Sequence, residues 1–428
     1  MIKILKESDC QADTLLMRSM EKSGVGPAVA EIIETVQAKG DTALIEYARR
    51  FDHVELTSLE VTRAQMSAAK ERIPADLLKA MTLAAENITR YHKAQLRSGF
   101  RLDLGTGVNM GQVITPIEKV GLYIPGGTAA YPSSVFMNAI PAKLAGCREL
   151  VMVSPPGPGG VIPDAILAAA EMAGVDRVFT VGGAQAVAAL AYGTETIPKV
   201  DKIVGPGNAY VTEAKRQVFG RVAIDMIAGP SEILVIADGR SNPCWVAADL
   251  LSQAEHDRLA TAVLITDSQQ LADAVALEIE NQLSTLPREE IARTSIENNG
   301  KIILVDTLEA GVALSNALAP EHLELSVAEP EKLLPLVKNA GSVFMGRCCP
   351  ESLGDYLAGP NHILPTSGTA RFSSPLGVDD FIKKTQYTYY TKNALEAVAD
   401  DIAVFARAEG LEAHARAALV RRTGEEQA

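Results

Sequence analysis

Between about residue 119 and residue 345, short apolar runs alternate with alanine-rich stretches of helical periodicity, and this alternation restricts the fold more than any other feature. Apolar runs with strand character lie at 120–124, 150–153, 178–181, 203–204, 233–236, 262–265, 302–305 and 342–345. Helical patterns lie at 133–145, 163–173, 184–191, 209–219, 241–255, 269–282 and 331–337. Alternation of this kind is typical of βαβ units, whose strands form a mostly parallel sheet. The sequence therefore predicts an α/β fold with two parallel-sheet units.

The segments on either side of this region have different patterns. Residues 10–98 show helical periodicity, with Gly40 where a helix C-cap would fall and Asp41 at the next N-cap. The stretch 359–377 is rich in Gly, Pro, Ser and Thr and predicts a long loop, whereas 393–422 predicts a terminal helix. Because the chain has 428 residues, we expect at least two domains.

Composition narrows the possible partners and the compartment. The net charge is −13 and no run of Lys and Arg exceeds two, which argues against a nucleic-acid or anionic-membrane surface. The N-terminus lacks the apolar core of a signal peptide, and no apolar run is long enough to span a bilayer. We therefore expect a cytoplasmic protein. The cysteines fit neither a disulfide framework nor a CxxC zinc pattern, as expected in a reducing cytosol: Cys10, Cys147, Cys244, Cys348 and Cys349.

Four of the six histidines lie beyond residue 250, each beside carboxylates or amides. His256 ends the sequence QAEH, His322 follows Glu321, His362 ends GPNH, and His414 ends EGLEAH. Neutral imidazole is both a metal ligand and a proton acceptor near neutral pH. The clustering predicts a metal site joined to an acid/base site.

Each of these motifs also has a plainer explanation. Gln253 and His256 are three residues apart in a predicted helix and can chelate one cation, but an exposed polar helix end has the same spacing. Glu321 and His322 can supply two bases if they converge at a strand end or turn, and are otherwise an ordinary loop pair. Asp355 is a third hard ligand or a turn residue that bonds its own backbone.

Other motifs leave similar alternatives open. The sequence GPGNAY at 205–210 comes closest to the GxGxxG fingerprint and fails at its last position. Turns at the carboxyl ends of strands nevertheless favour a phosphate-bearing ligand. Cys147 could act as a nucleophile beside Arg148, although its position at the end of an apolar helix favours packing. His414 alone would be a surface histidine of a terminal helix.

Taken in chain order, these segments resemble the histidinol dehydrogenase family over nearly the whole chain. No single motif is specific, whereas the ordered set is. The matching sequences are VGLYIPGG (120–127), VGGAQA (181–186), KIVGPGN (202–208), AGPSE (228–232), LSQAEH (251–256), APEHL (319–323), GDY (354–356), NHILPT (361–366) and EGLEAH (409–414).

The resemblance implies a fold of aldehyde-dehydrogenase-like type, with two Rossmann-like parallel-sheet units and small helical dimerisation segments at the N- and C-termini. It implies an N-terminal helical segment over 1–20 and a second α/β domain over 121–230. The first α/β domain would combine 21–120 with 231–370 and carry most metal and catalytic residues. Residues 371–428 would form the C-terminal dimerisation segment.

The resemblance also implies roles for individual residues. Glu321 and His322 look like the catalytic pair. The expected zinc ligands are Gln253, His256, Asp355 and His414, the last donated across the interface of an intertwined homodimer. These six residues would also contact substrate, together with Ser231, His362 and Glu409. The expected NAD-binding residues are Tyr123, Gln185 and Asn208.

The activity implied is a zinc-dependent, NAD-linked, four-electron oxidation of L-histidinol through L-histidinal to L-histidine, the last steps of histidine biosynthesis. A related branch oxidises a sulfonated diol with the same metal ligands, but the intact Glu409-Gly410-Leu411 before His414 resembles the histidinol branch. Asp379 departs from the family pattern. A zinc-dependent hydrolase with Glu321 as base, or a binding protein stapled by zinc, are the competing hypotheses.

Overall fold

The computed structural model describes residues 2–9, 24–126 and 130–423. Strands within these residues are β1 (Lys3–Lys6), β2 (Glu60–Val61), β3 (Phe100–Asp103), β4 (Val108–Pro116), β5 (Lys119–Tyr123), β6 (Glu149–Ser154), β7 (Arg177–Thr180), β8 (Lys202–Val204), β9 (Ala223–Ile224), β10 (Glu232–Ala237), β11 (Thr261–Thr266), β12 (Lys301–Leu304), β13 (His322–Ser326), β14 (Ser342–Met345) and β15 (Ile382–Tyr390). The α/β fold predicted from the sequence is confirmed.

The α-helices in the same residues are α1 (Gly26–Lys39), α2 (Asp41–Tyr47), α3 (Arg63–Arg72), α4 (Ala75–Lys93), α5 (Pro132–Ala145), α6 (Asp164–Met172), α7 (Gly183–Tyr192), α8 (Ala209–Val218), α9 (Pro243–Ala254), α10 (Gln269–Leu283), α11 (Glu289–Asn298), α12 (Leu308–Leu318), α13 (Pro330–Leu333), α14 (Glu351–Tyr356), α15 (Lys392–Glu396), α16 (Ala399–Ala408) and α17 (Glu412–Thr423).

Two six-stranded sheets have the same winding. In spatial order, the β5 sheet is β2-β7-β6-β5-β8-β9 and the β10 sheet is β1-β12-β11-β10-β13-β14. Every pairing is parallel except that of β2 with β7. In each sheet the chain runs outward from a middle strand over the next two strands and then crosses to the other side, at β8 or at β13. The gaps between β5 and β8 and between β10 and β13 are therefore topological switch points.

The N-terminal helices pack on the β5 sheet. Helix α1 contacts α7 and α8, α3 contacts α6, and α4 contacts α5. Val29 and Ile88 are buried in the two hydrophobic clusters that cover the faces of this sheet. The structure thus joins residues 26–93 to the β5 sheet, whereas the sequence assigned 21–120 to the domain of 231–370. An amphipathic pattern shows that a helix has a buried face, but it does not show which sheet that face covers.

The β10 sheet begins with the N-terminus of the chain. Lys3–Lys6 form β1, which pairs in parallel with β12 from Lys3 opposite Lys301 to Lys6 opposite Leu304. A helical segment was predicted for 1–20, and this is wrong for residues 3–6. Four residues are too few for a period to separate strand from helix. Residues 10–20 of that prediction, with Cys10, lie outside the described residues.

Among the described residues, 96–116 and 382–423 form a second compact unit. Its antiparallel sheet has the order β15-β4-β3, and helices α15 to α17 follow. The sequence predicted a segment starting at 371 and one helix over 393–422. Instead, Thr391 caps α15, and Gly410, with φ of 76°, separates α16 from α17. The sheet was not predicted because all but one residue of β15 are exposed, which leaves no apolar alternation.

Membrane and cysteine features can be checked on the described residues. Among them, no helix combines the length and apolarity that a bilayer span needs. The cysteines in this part of the chain are free: Cys147, Cys244, Cys348 and Cys349. Burial raises the pKa of the Cys147 thiol to about 11, which disfavours the thiolate and supports packing rather than nucleophilic chemistry.

Candidate metal and active site

Carboxyl and imidazole side chains cluster at the amino ends of two neighbouring strands of the β10 sheet. Glu232 and His322 are the first residues of β10 and β13. Helix α14 adds Glu351 and Asp355. Potential ligand atoms of His322, Glu351 and Asp355 all lie within 4.8 Å of one another. The structure therefore brings His322 and Asp355, two of the expected site residues, beside each other. They lie at the amino ends of the strands, opposite to the ends that usually bind ligands in such sheets.

His322 is oriented by the backbone. Its Nδ1 lies 2.9 Å from the carbonyl oxygen of Glu232, and since a carbonyl only accepts, Nδ1 carries the proton. Nε2 therefore keeps its lone pair, and it lies 3.6 Å from Oε1 of Glu351. Burial lowers the pKa of His322 to about 4. The ring is neutral near pH 7, with Nε2 available to accept a proton.

Glu321 and His322 converge where β13 begins. Oε2 of Glu321 accepts a hydrogen bond from the backbone N–H of Glu232 at 2.9 Å and lies 3.5 Å from Nδ1 of His322. The two adjacent residues thus converge at the start of a strand, which is one of the two alternatives that the sequence left open. Burial, together with the negative charge of neighbouring carboxyls, raises the pKa of Glu321 well above its ordinary value.

Glu351 was not among the predicted site residues. Its side chain is 2% exposed, and Ser252 Oγ donates to its Oε2 at 3.4 Å. Burial and then the charge of Asp355 raise the pKa of Glu351 to about 8. Glu351 and Asp355 are four residues apart in α14, so both project from one face of that helix. This spacing was the signal in the sequence.

Two further carboxyls lie behind Glu351. Glu324 is two residues after His322 in β13, on the same face of the sheet, and its Oε1 accepts from the backbone N–H of Glu351 at 2.7 Å. Asp249 on α9 hydrogen-bonds to Glu324. Burial raises the pKa of Asp249 to about 6 and that of Glu324 well above its ordinary value. The raised pKa values show that these buried carboxyls lack the solvent that would stabilise their ionised forms.

The predicted pair Gln253 and His256 lies where α9 ends. The helix was expected to continue to 255 but ends at Ala254, and the backbone N–H of His256 donates to the Gln253 carbonyl at 3.1 Å. His256 is exposed, whereas Gln253 is 1% exposed. Oε1 of Gln253 is buried and has no hydrogen-bond partner, and the same is true of Oε1 of Glu351.

His362 joins the site from the long loop. Its Nδ1 lies 3.2 Å from the backbone carbonyl of Asp355 and 3.6 Å from the Asp355 carboxylate. On the other side, its Nε2 lies 3.4 Å from Oγ of Ser134, a buried residue of α5 that was not predicted. Burial lowers the pKa of His362. The imidazole therefore stays neutral and holds the Asp355 region against α5.

Two glycines allow the backbone near Asp355 to approach its neighbours closely. A Cβ at Gly354 would lie 2.5 Å from the ring of Phe344. Gly359 has φ of 106°, and a Cβ there would lie 2.8 Å from the carbonyl oxygen of Asn87. The backbone on both sides of Asp355 is therefore packed tightly against its neighbours.

The cluster has the properties of a divalent cation site. Its carboxyls raise one another's pKa, and the basic groups beside them are imidazoles. A buried acceptor left without a partner costs roughly 1–3 kcal/mol, and a cation bound beside Gln253 would satisfy its Oε1. A nearby cation also favours ionised carboxylates and neutral imidazoles. Nitrogen and oxygen donors of these types suit zinc, so the residues present fit the predicted metal.

The remaining predicted substrate and metal residues are divided between the two compact units. Ser231 directly precedes Glu232, so it lies at the same amino end of β10. Glu409 follows the last residue of α16, and His414 is exposed on α17. Both belong to the second compact unit. The first compact unit therefore contains neither Glu409 nor His414, which are both predicted site residues.

The three predicted cofactor residues, Tyr123, Gln185 and Asn208, line one cavity of about 580 Å³. The cavity lies where β5 and β8 end, which is the switch point of the β5 sheet, and its volume suits a small molecule. Tyr123 Oη accepts from the backbone N–H of Gly183 at 3.0 Å, and burial raises its pKa to about 12. Asn208 also has a structural role, since its Oδ1 caps α8.

Comparison with known proteins gives a consistent result. The family model described as histidinol dehydrogenase matches residues 16–422. Histidinol dehydrogenase of Streptococcus mutans is 57% identical over 403 residues, 94% of either chain. That of Bacillus cereus is 53% identical over 420 residues, 98% of this chain and 96% of the relative. The crystal structure of histidinol dehydrogenase from Elizabethkingia anophelis has a TM-score of 0.93 at 40% identity and 98% coverage of each chain. An acetylating aldehyde dehydrogenase from Geobacillus thermoglucosidasius shares the fold alone, with a TM-score of 0.50 at 14% identity over 89% of this chain and 94% of that one.

Proposed function

The chain belongs to the histidinol dehydrogenase family and is an oxidoreductase of histidine biosynthesis, and from this premise we propose that it oxidises L-histidinol through L-histidinal to L-histidine with zinc and NAD. The resemblance seen in the sequence is thereby confirmed. Each of the two oxidations removes one hydride and one proton, and water enters between them. The finer assignments of metal, cofactor and catalytic roles are part of the proposal.

We assign the zinc ion to Gln253, His256, Asp355 and His414 of the partner subunit. The observation that carries this assignment is the unpartnered, buried Oε1 of Gln253, which lies in the last turn of α9 beside a cluster of carboxyls. A glutamine so placed has a free acceptor and no solvent to bind it. The alternative of a zinc hydrolase has no comparable support, since the relatives are oxidoreductases.

When bound, zinc would hold the imidazole and amino nitrogens of the substrate, and NAD would accept the hydride in each oxidation. His322 would take the hydroxyl proton at Nε2, because its Nδ1 proton is committed to the Glu232 carbonyl. Glu321 would then accept a proton from the water that hydrates the aldehyde. His322 would assist again in the second oxidation.

The other polar residues would bind rather than react. Ser231, His362 and Glu409 would hold polar groups of the substrate. Tyr123, Gln185 and Asn208 would bind NAD in the cavity at the switch point of the β5 sheet, where polar groups and strand-end turns are available to a dinucleotide.

We infer a homodimer in which each subunit completes the site of the other. His414 is exposed on α17, as a ligand for another chain would be in the isolated subunit. Helix α16 also exposes Val404 and Phe405, at 69% and 71% of their full surface. Neighbouring exposed apolar side chains of this kind are typical of surfaces that a partner covers. We also propose the cytoplasmic location that the sequence predicts.

The proposal is tested by counting NADH formed from a limiting amount of L-histidinol. Two NADH per histidinol are expected, with loss of activity in a chelator and recovery on adding zinc. One NADH per histidinol, or hydrolysis of an ester or amide without NADH, would contradict it. The separate roles of Glu321 and His322 are tested with Glu321→Gln, which should slow the oxidation of supplied L-histidinal more than the oxidation of the alcohol. Glu329→Gln, at an exposed carboxyl, is the matched control.

A further inference from the structure

The cavity at the switch point of the β5 sheet has two prolines at a place where dinucleotide sites usually have an acid. In a doubly wound sheet, an acidic residue near the end of the second strand commonly accepts a hydrogen bond from the ribose of NAD. Here the second strand of the sheet is β6, and Pro155 and Pro156 line the cavity directly after it. A proline side chain has no polar atom, so recognition of a ribose requires another residue.

Two acidic side chains reach this cavity from the N-terminal helices. Glu31 lies on α1, and Asp52 ends the helical turn Ala48–Asp52 that follows α2. Both line the cavity together with Tyr123 and Asn208. All four residues belong to the first compact unit, so the cavity is formed within one unit of the chain.

Asp52 is the better placed acceptor of the two acids. Its carboxylate is half-buried, whereas Glu31 is exposed. Within the described residues, the Asp52 carboxylate accepts no hydrogen bond and forms no ion pair, and burial raises its pKa. A partly desolvated carboxylate of this kind is stabilised by donors that a ligand brings, and the hydroxyls of a ribose are such donors.

The wall of the cavity carries more acid than base. Of the described residues that line it, Arg50 is basic, whereas Glu31 and Asp52 are acidic. The Arg50 guanidinium is exposed and lies 5.1 Å from the centre of the Phe51 ring, so it stacks on an aromatic face. Further negative charge at this wall is therefore unfavourable.

The two faces of the β5 sheet indicate which half of NAD meets Asp52. Helix α5 packs on one face through Phe136, and its Ser134 lies 3.4 Å from His362 of the candidate site. Tyr47, the last residue of α2, packs on the other face, directly before the turn that ends at Asp52. The nicotinamide must reach the substrate to receive a hydride, which leaves the adenosine half for the face with Asp52.

We propose that Asp52 accepts hydrogen bonds from the adenosine ribose of NAD and, together with Glu31, excludes NADP. This inference rests on the proposed function, which places NAD in the cavity, and it names the residue that selects between the two dinucleotides. The 2′-phosphate of NADP replaces a hydroxyl that Asp52 would bind, and it sets negative charge against a half-buried carboxylate. For charges a few ångströms apart at such a site, the repulsion corresponds to roughly 10- to 100-fold in affinity.

The test compares the binding of ADP-ribose and of its 2′-phosphate to the full-length protein by isothermal titration calorimetry, so that no turnover is required. The wild type should prefer ADP-ribose. Asp52→Asn keeps the shape and an acceptor oxygen but removes the charge. It should reduce the preference roughly 10- to 100-fold, mainly because the 2′-phosphate binds more tightly.

Glu46→Gln is the matched control, because Glu46 is an exposed carboxyl of α2 that pairs with Lys39 and lies outside the cavity wall. It should change the preference by less than about twofold, since solvent and salt screen a charge at that place. The ratio of kcat/KM for NAD to that for NADP should follow the binding data in each variant. Circular dichroism checks folding, and Asp52→Ser repeats the comparison if Asp52→Asn does not fold.

The outcomes separate this inference from the proposed function. A wild type that binds the 2′-phosphate as tightly as ADP-ribose would overturn the inference, and so would an equal change of preference in Glu46→Gln and Asp52→Asn. Either result leaves the proposed function intact if two NADH still form per L-histidinol. A wild type that neither binds ADP-ribose nor forms NADH from L-histidinol would overturn the proposed function as well.

Discussion

The buried ion pair between Lys215 and Asp225 gives the sharpest prediction outside the metal site. Their side chains are 3% and 1% exposed. Lys215 Nζ also donates to the carbonyl of Gly205 at 3.0 Å, and Asp225 Oδ2 accepts from the backbone N–H of Gly205 at 2.7 Å. The pair thus holds both sides of the turn that leads to Asn208 in the proposed NAD cavity.

The cost of breaking this pair follows from burial. Asp225→Leu leaves the Lys215 ammonium in the interior without its counter-charge, and a change of this kind typically costs about 3–5 kcal/mol of unfolding free energy. It also leaves the Gly205 N–H without an acceptor. In the double variant Lys215→Met with Asp225→Leu, no charge remains buried. What remains is the loss at the Gly205 backbone and at the N–H of Met226, which donates to Asp225 Oδ1 at 2.6 Å, roughly 1–3 kcal/mol for each buried group without a partner.

Urea unfolding of the wild type, both single variants and the double variant measures these differences in stability. The KM for NAD, measured from the activity, reports on the turn at Gly205. The double variant should be more stable than Asp225→Leu alone, and every variant without Asp225 should have a raised KM for NAD. Additive costs in the double variant would refute the reasoning from a buried, unpaired charge. An unchanged KM for NAD would refute the link between this pair and the cavity.

Three further predictions concern packing, pH and assembly. Gly354→Ala should cost about 1–3 kcal/mol in urea unfolding, because its Cβ would lie 2.5 Å from the Phe344 ring, and Phe344→Leu should recover part of the loss. Because the folded pKa of Asp249 is raised to about 6, its ionised form destabilises the fold above that pH, and the cost fades as pH falls toward 4. Asp249→Asn should therefore stabilise metal-free protein at pH 8 by on the order of 1–3 kcal/mol and give no gain near pH 4. His414→Ala and Gln253→Ala should each abolish activity, and mixed dimers of the two should regain some of it; no recovery in verified heterodimers would contradict a shared site.

The parts of the fold that sequence predicts best are those with a strong period. The eight predicted apolar runs correspond to strands β5, β6, β7, β8, β10, β11, β12 and β14, most of which are buried on both faces, whereas β1, β2, β9 and β13 of the same sheets were not predicted as strands. Strand β15 could not be predicted in this way, since its residues are exposed on both faces. The placement of residues 26–93 on the β5 sheet depends on tertiary packing that a helical pattern does not encode.

The candidate site likewise contains residues that the sequence identifies and a residue that only the tertiary structure reveals. Glu321, His322 and Asp355 were identified through the ordered set of motifs that resembles the family, and the structure brings them together. Glu351 was overlooked although it stands four residues before Asp355, because a helical spacing between two acidic residues is common on solvated surfaces. Only its burial between β13 and α9 distinguishes it from such a surface pair, and burial of a particular carboxylate arises from the fold as a whole.

The most direct test of the proposed zinc and catalytic site is a crystal structure of the protein with zinc and L-histidinol. Anomalous data would be collected on both sides of the zinc absorption edge. We expect one peak per site, with Nε2 of His322 directed at the substrate hydroxyl. The expected ligands are Gln253 Oε1, His256, the Asp355 carboxylate, His414 of the partner subunit and both nitrogens of the substrate. A peak at another place, or a substrate imidazole far from the metal, would contradict the proposed site.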